Sequence, residues 1–148
     1  MAPTHLVAVL VEAIRASALV PSGLALELSV RWMADGTVAR LVRDKRRDAV
    51  ARQRLLRKAC PDMTIQADSR AYHAWVKLSA AWRAESFTAA AAERGIAVAP
   101  ATAFAVGAGY APNAVRLALA SPSHKVLVES LQVLNSLARS KPRTLNLE

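Results

Sequence analysis

The spacing of apolar and polar residues changes period partway along this chain. Leu6, Val9, Leu10, Ala13 and Ile14 recur at the i, i+3, i+4 spacing of one helical face, which predicts a helix over Leu6–Ala18. Pro21-Ser22-Gly23 ends it, and a second helix is predicted over Leu24–Ala34, closed by Asp35-Gly36. A third and longest helix is predicted over Thr37–Ala59, with Val38, Val42, Ala49 and Leu56 as its apolar seam and Pro61 beyond its end. At Tyr72–Leu78 the period becomes two. Tyr72, Ala74, Val76 and Leu78 share one side of a strand, and His73, Trp75 and Lys77 the other. Ser86 is a candidate cap for a short helix over Phe87–Arg94, with Gly95 just past its end. Two apolar runs, Ile96–Ala99 and Asn113–Ala120, read as strands joined by a loop rich in Gly, Ala and Pro. Ser121-Pro122 places a cap and a first-turn proline before a last helix, whose stripe is Leu127, Leu131, Leu134 and Ala138. Periodicity stops at Lys141, so residues 141–148 are expected to be a disordered tail. The element order predicts an α+β fold: a small antiparallel-type sheet covered on one face by helices, in one folded unit over residues 1–140.

A chain of 148 residues with 53% hydrophobic content suits one domain or a piece of a larger protein. Glu12 and Arg15 interrupt the apolar N-terminal run and no basic segment precedes it, so it reads as an amphipathic helix rather than a signal peptide. No apolar run has the length of a membrane span, so no membrane partner is expected. Cys60 is the single cysteine, which excludes an internal disulfide and is compatible with a reducing cytosol; a cytoplasmic location is expected. The net charge of +9 is local, because ten basic residues against three acidic ones between Arg31 and Lys58 account for +7 of it. That segment reads as a solvated helix face, as the cover for an acidic partner, or as a surface for phosphate backbones.

Several chemistries find no support. His5, His73 and His124 are far apart and Cys60 has no partner at ligand spacing, so no metal site is predicted. Gly107-Ala108-Gly109 has too few glycines for a phosphate cradle. Cys60, at a helix C-terminus, is expected to be a small buried apolar residue rather than a nucleophile. His73, between apolar neighbours, is expected to be packed and hydrogen-bonded. Arg116 is different. Val115, Leu117 and Leu119 face one side of its strand, and Arg116 stands among Ala114 and Ala118 on the other. A long cation framed by small residues suits a carboxylate receptor, since its planar fork binds a carboxylate with two parallel hydrogen bonds. A salt bridge at the sheet surface is the alternative, and the pattern alone leaves both open.

Four stretches in order carry a resemblance to a known family. ADGTVARLVRDKRRDAVARQRLL (Ala34–Leu56) resembles a helix with a Gly-x-x-x-Arg start and an arginine-rich body. AYHAWVKL (Ala71–Leu78) resembles a Leu-His-Leu-Trp strand, GIAVAPATAF (Gly95–Phe104) a Gly-Val-x-x-x-Pro-Gly-x-x-Phe turn, and NAVRLALA (Asn113–Ala120) the strand bearing a carboxylate arginine. Together they resemble the C-terminal small domain of fold-type-I pyridoxal-phosphate (PLP) aminotransferases, most of all the aminotransferase-like part of MocR-type regulators in the GntR family. The resemblance covers about Leu6 to Ala138. It departs from the family where two glycines usually precede the strand, since Arg70 and Ala71 stand there. It departs again at Pro100-Ala101, where the family has Pro-Gly.

The resemblance implies that Arg116 binds the carboxylate of an amino-acid-like ligand, with Arg70, Ala71, Tyr72, Pro100 and Asn113 as further pocket residues and no catalytic residue of this chain's own. It implies PLP in an intact parent and none bound by this chain alone, because the family's Schiff-base lysine lies in a Ser-x-x-Lys-type segment that this sequence lacks. The expected partners are accordingly a PLP-binding large domain, an N-terminal winged helix that binds DNA, and a second copy of the parent as a homodimer. On this reading the chain is a truncated piece. Two other readings are the small domain of an ordinary class I/II aminotransferase and a stand-alone basic module that binds nucleic acid.

Overall fold

The computed structural model of the chain describes residues 3–17, 22–106 and 111–140. Pro21, residues 107–109 and the tail 141–148, on which expectations were placed above, lie outside the described residues. The chain divides into two compact units, Met1–Arg43 and Asp44–Glu148.

In the first unit a short 3-10 turn, Thr4–Leu6, leads into α1 (Val7–Ala16), and α2 (Gly23–Ala34) follows. Gly36 turns the chain into α3 (Thr37–Ala59) with φ at 78°, a left-handed value that glycine adopts without strain. Asp35 supports this turn: its Oδ1 accepts the Thr37 backbone N–H at 2.9 Å, which holds its carboxyl below the usual range. Neither α1 nor α2 buries a residue. The periodic face of α1, including Val9, Leu10 and Ile14, is exposed.

The second unit holds the core. Its antiparallel sheet has the order β1-β2-β4-β3, built from β1 (Thr64–Gln66), β2 (His73–Lys77), β3 (Ala99–Pro100) and β4 (Ala114–Ala118). β2 and β4 pair along their full length, with Trp75 opposite Arg116 and Val76 opposite Val115. Two-residue alternation sends Ala74, Val76, Val115 and Leu117 to one face. There they join Leu56 of α3, Phe87 and Ala91 of α4 (Ala84–Ala92), and Leu127, Leu131, Leu134 and Leu137 of α5 (His124–Arg139) in one apolar cluster. The α+β class and the one-sided helical cover follow the sequence expectation.

The edges differ from it. β1 is an unforeseen strand, only three residues long and too short to show alternation. The strand expected at Ile96–Ala99 shrinks to Ala99–Pro100. Its start is taken by the end of α4, where Gly95 N–H donates to the Ala92 carbonyl at 2.9 Å and Ile96 N–H to the Ala91 carbonyl at 3.0 Å. That pair is a Schellman closure, with Gly95 at φ 73° in the left-handed position. Pro100 then lacks the N–H that would extend the pairing, and a 3-10 turn, Ala101–Phe104, follows. α4 starts at Ala84 after Arg83, so Ser86 lies inside its first turn rather than capping it. Ser123, not Ser121, caps α5: its Oγ accepts the Val126 N–H, and Pro122 stays outside the helix. His73 is exposed on the sheet rather than packed. Among the described residues no helix is long and apolar enough to cross a membrane, and no three potential ligands gather at a metal site.

Candidate functional site

Within the second unit α3, α4 and α5 cover the core face of the sheet, and Arg116 is on the opposite face. β4 presents Arg116 there, half-buried, beside its cross-strand partner Trp75. The 3-10 turn after β3 brings Phe104 onto the same place. The Arg116 guanidinium carbon lies 4.4 Å from the Phe104 ring centroid, and Phe104 meets Trp75 edge to face at 5.3 Å and 84°. Such a contact is worth about 0.5–2 kcal/mol and restrains the guanidinium against the ring. Among the described residues no carboxylate pairs with Arg116. Phe104 and Trp75 also line a cavity of about 680 Å³, together with Thr64, Gln66, Lys77 and Pro112. That volume is in the range of small-molecule sites, roughly 300–1,000 Å³. Arg116 does not itself line the cavity; Phe104, which does, lies against the guanidinium. The arrangement can hold a carboxylate at a restrained fork with apolar surface next to it.

The other sequence candidates are placed elsewhere. None of Arg70, Ala71, Tyr72, Pro100 and Asn113 lines that cavity. Asn113 donates through Nδ2 to the Trp82 carbonyl at 2.7 Å and ties the start of β4 to the loop before α4. Pro100 pairs with Val115 at the sheet edge. The Ala71 carbonyl accepts Gln53 Nε2 at 2.9 Å, and the Tyr72 hydroxyl lies 2.8 Å from Asp48 Oδ2. Arg70 sits in a groove on the α3 side, with Arg46, Arg47, Val50 and Arg54. Phe104, Trp75 and the Asp48 cluster were not assigned from sequence. Gln53 and Arg52 had a signal, because they continue the Ala49–Leu56 seam and so had to be buried with partners.

Asp48 is the hub of that cluster. Its Oδ2 accepts Arg52 Nε–H at 2.8 Å, and its Oδ1 lies 3.1 Å from His124 Nε2. Arg52, then Tyr72 and then His124 hold its carboxyl down to about 2, against an ordinary 3.8. A depressed carboxylate contributes stability that is present above the unfolded value and disappears as pH falls through the folded one. The urea midpoint is therefore expected to drop between about pH 4 and pH 2, and Asp48→Asn to flatten that decline. An unchanged pH profile in Asp48→Asn rules out this carboxylate as its source.

Cys60 is buried and its thiol lies 3.4 Å from the Leu131 carbonyl; burial pushes its pKa up to about 11, so it is no nucleophile at neutral pH. A PLP site requires a lysine for the Schiff base and a partner for the pyridine nitrogen. The cavity next to Arg116 offers Lys77, yet no carboxylate lines it. Lys45 is held over the Tyr72 ring at 5.8 Å on the α3 side. The lining of that cavity therefore does not fit PLP on its own.

No protein-family model and no curated protein matches the chain. Solved structures do. LysN, the α-aminoadipate aminotransferase of Thermus thermophilus, solved in complex with N-(5'-phosphopyridoxyl)-L-leucine, is 20% identical with a TM-score of 0.74; the match covers 93% of this chain and 36% of that one. An archaeal alanine:glyoxylate aminotransferase is 20% identical with a TM-score of 0.57, over 73% of this chain and 28% of that one. The chain thus spans about a third of the length of the aminotransferases it matches, and its fold is the fold of that part of them.

Proposed function

We propose that this chain is the ligand-closing small domain of a PLP-dependent, aminotransferase-like protein, in which Arg116 receives the carboxylate of an amino-acid-like ligand. One observation carries the reading: a guanidinium stacked on Phe104, without a carboxylate partner among the described residues, beside a cavity of ligand size. The lysine and the cofactor belong to a large domain in this reading, which is why the described residues need not form a cofactor site. The order of the sequence motifs favours a MocR-type regulator of the GntR family as the parent, homodimeric and bound to DNA through a winged helix. In that setting the domain senses an effector, and its single buried cysteine suits the cytoplasm. A second reading, the same domain in a class I/II aminotransferase, draws support from the two structural likenesses, since both are to aminotransferases.

The first test uses the isotope-labelled chain itself. α-Ketoisocaproate, an apolar carboxylate, is expected to shift the Arg116 side-chain nitrogen resonance on titration. Arg116→Ala is expected to weaken that affinity by roughly 1.5–3 kcal/mol, the scale of hydrogen bonds to charged groups. Added PLP is expected to give no aldimine absorbance. Equal affinity in Arg116→Ala would leave the arginine a packing residue for Phe104 and remove the basis of the proposal.

A further inference from the structure

The outer side of α3 carries a second constellation, independent of Arg116. At about 100° per residue, Arg46, Val50, Arg54 and Arg57 fall on one stripe of the helix, which flanks the buried Ala49, Gln53 and Leu56 positions. Arg46, Arg47, Val50 and Arg54 line an open groove of about 410 Å³, and Arg70 completes it from the turn between β1 and β2. The fold thus adds a guanidinium from a remote position to three that the helix already aligns.

These charges are poorly compensated. Among the described residues Arg46 and Arg54 have no carboxylate within ion-pair distance. Arg47 has Asp44 at 3.9 Å, with both side chains well exposed. Asp68 lies 3.5 Å from Arg70 Nε, but its shorter bond, 2.7 Å, is to the Arg70 backbone N–H. Asp48, the acid in the middle of α3, is engaged by Arg52, Tyr72 and His124 on the other side. Four guanidiniums therefore surround Val50 and their own methylene stems with two acids at the margin.

We infer that this groove binds the phosphate backbone of a nucleic acid. Guanidinium forks pair with phosphate oxygens two at a time, which suits arginine over lysine, and all four charges here are arginines. The stripe from Arg46 to Arg57 covers about 16 Å of helix axis. A nucleic-acid strand offers one phosphate about every 3.4 Å along its axis, so several phosphates fall within reach of the row at once. A single inorganic phosphate would neutralise only part of it. An acidic protein segment is the competing occupant. The groove favours a repeating charge over individually placed carboxylates, because it is open and its row of cations runs along the helix axis.

The test is fluorescence anisotropy of the full chain with a short fluorescein-labelled single-stranded oligonucleotide over a salt series. Binding is expected at low salt and is expected to weaken as salt rises. Arg46→Gln with Arg54→Gln is expected to weaken it at least about tenfold and to lower the salt slope by about 0.7 for each phosphate no longer neutralised. Arg70→Gln is expected to weaken it too, which binding through the helix alone does not explain. Lys125→Gln with Arg139→Gln removes the same charge from α5 and is expected to leave affinity within about twofold. Circular dichroism checks that each variant is folded; Arg46 and Arg54 hold no ion pair among the described residues. Equal weakening by the α5 pair, unchanged affinity in Arg70→Gln, or absence of binding at low salt overturns the inference. So does displacement of the oligonucleotide by poly-glutamate with the same dependence on the groove arginines.

Discussion

Arg52→Met is expected to destabilise the second unit by about 3 kcal/mol, the lower end of the range for breaking a buried ion pair by removing one partner. Arg52 is 9% exposed and holds three partners at once. Its Nε–H donates to Asp48 at 2.8 Å, and Nη1 donates to the Leu119 carbonyl at 2.6 Å and the Pro122 carbonyl at 2.7 Å. Methionine fills much of the same space and satisfies none of them. The lower end applies because the Asp48 side chain is 35% exposed, so water can take up part of its charge once the guanidinium is gone. The carbonyls have less recourse. They lie where β4 leaves the sheet and turns toward α5, so this one side chain fastens α3 to the end of the strand that bears Arg116. The measurement is urea unfolding followed by tryptophan fluorescence. A loss below about 1 kcal/mol would mean that the three bonds are replaced by water at little cost. Arg52→Met combined with Asp48→Leu removes both members of the pair and is expected to cost less than the sum of the two single changes, which tests that the penalty comes from a stranded partner.

Where the period was long and regular, the sequence was readable. α3 begins and ends at the residues the pattern indicates, because Asp35-Gly36 and Pro61 bracket it, but only the later part of its expected seam, Ala49 and Leu56, is buried, and Val38 and Val42 are exposed. Arg116 was likewise readable as the charged member of an otherwise apolar alternation. Its surroundings were not. Phe104 reaches Arg116 from 12 positions upstream only because Pro100 ends β3 and a 3-10 turn redirects the chain. No local signal encodes that return. β1 stayed hidden for a related reason: three residues carry no periodicity, and Thr64–Gln66 becomes a strand by pairing with Trp75–Lys77. Tyr72 shows the converse. It sits next to a strand that resembles the family's, which made it a pocket candidate. The structure directs its hydroxyl to Asp48 and the Lys45 carbonyl instead. Composition could locate the charge on α3 but not Arg70 beside it, since that meeting depends on the turn between β1 and β2.

Phe87→Ala is the second large effect, with an expected loss of about 3–5 kcal/mol. Phe87 is 1% exposed and meets Trp82 edge to face, with ring centroids 5.5 Å apart. An aromatic side chain in this position removes roughly 150–250 Å² from water, and truncation leaves a void that a four-stranded sheet under three helices cannot close without moving one of them. Trp82 is the residue most exposed to the consequence. Its indole N–H donates to the Ser140 carbonyl at 2.9 Å, and its own carbonyl accepts Asn113 Nδ2, from the residue just before β4. A void at position 87 therefore loosens the support under the strand that carries Arg116, although Phe87 is on the opposite side of the sheet from the candidate site. Two readouts separate this from a purely local defect. Urea unfolding gives the stability loss, and titration with α-ketoisocaproate well below the unfolding midpoint gives the affinity of the folded fraction. Phe87→Leu, which keeps most of the volume, is expected to recover most of both. A stability loss with unchanged affinity would show that β4 holds its register without Phe87, and that the core and the carboxylate site are energetically separate.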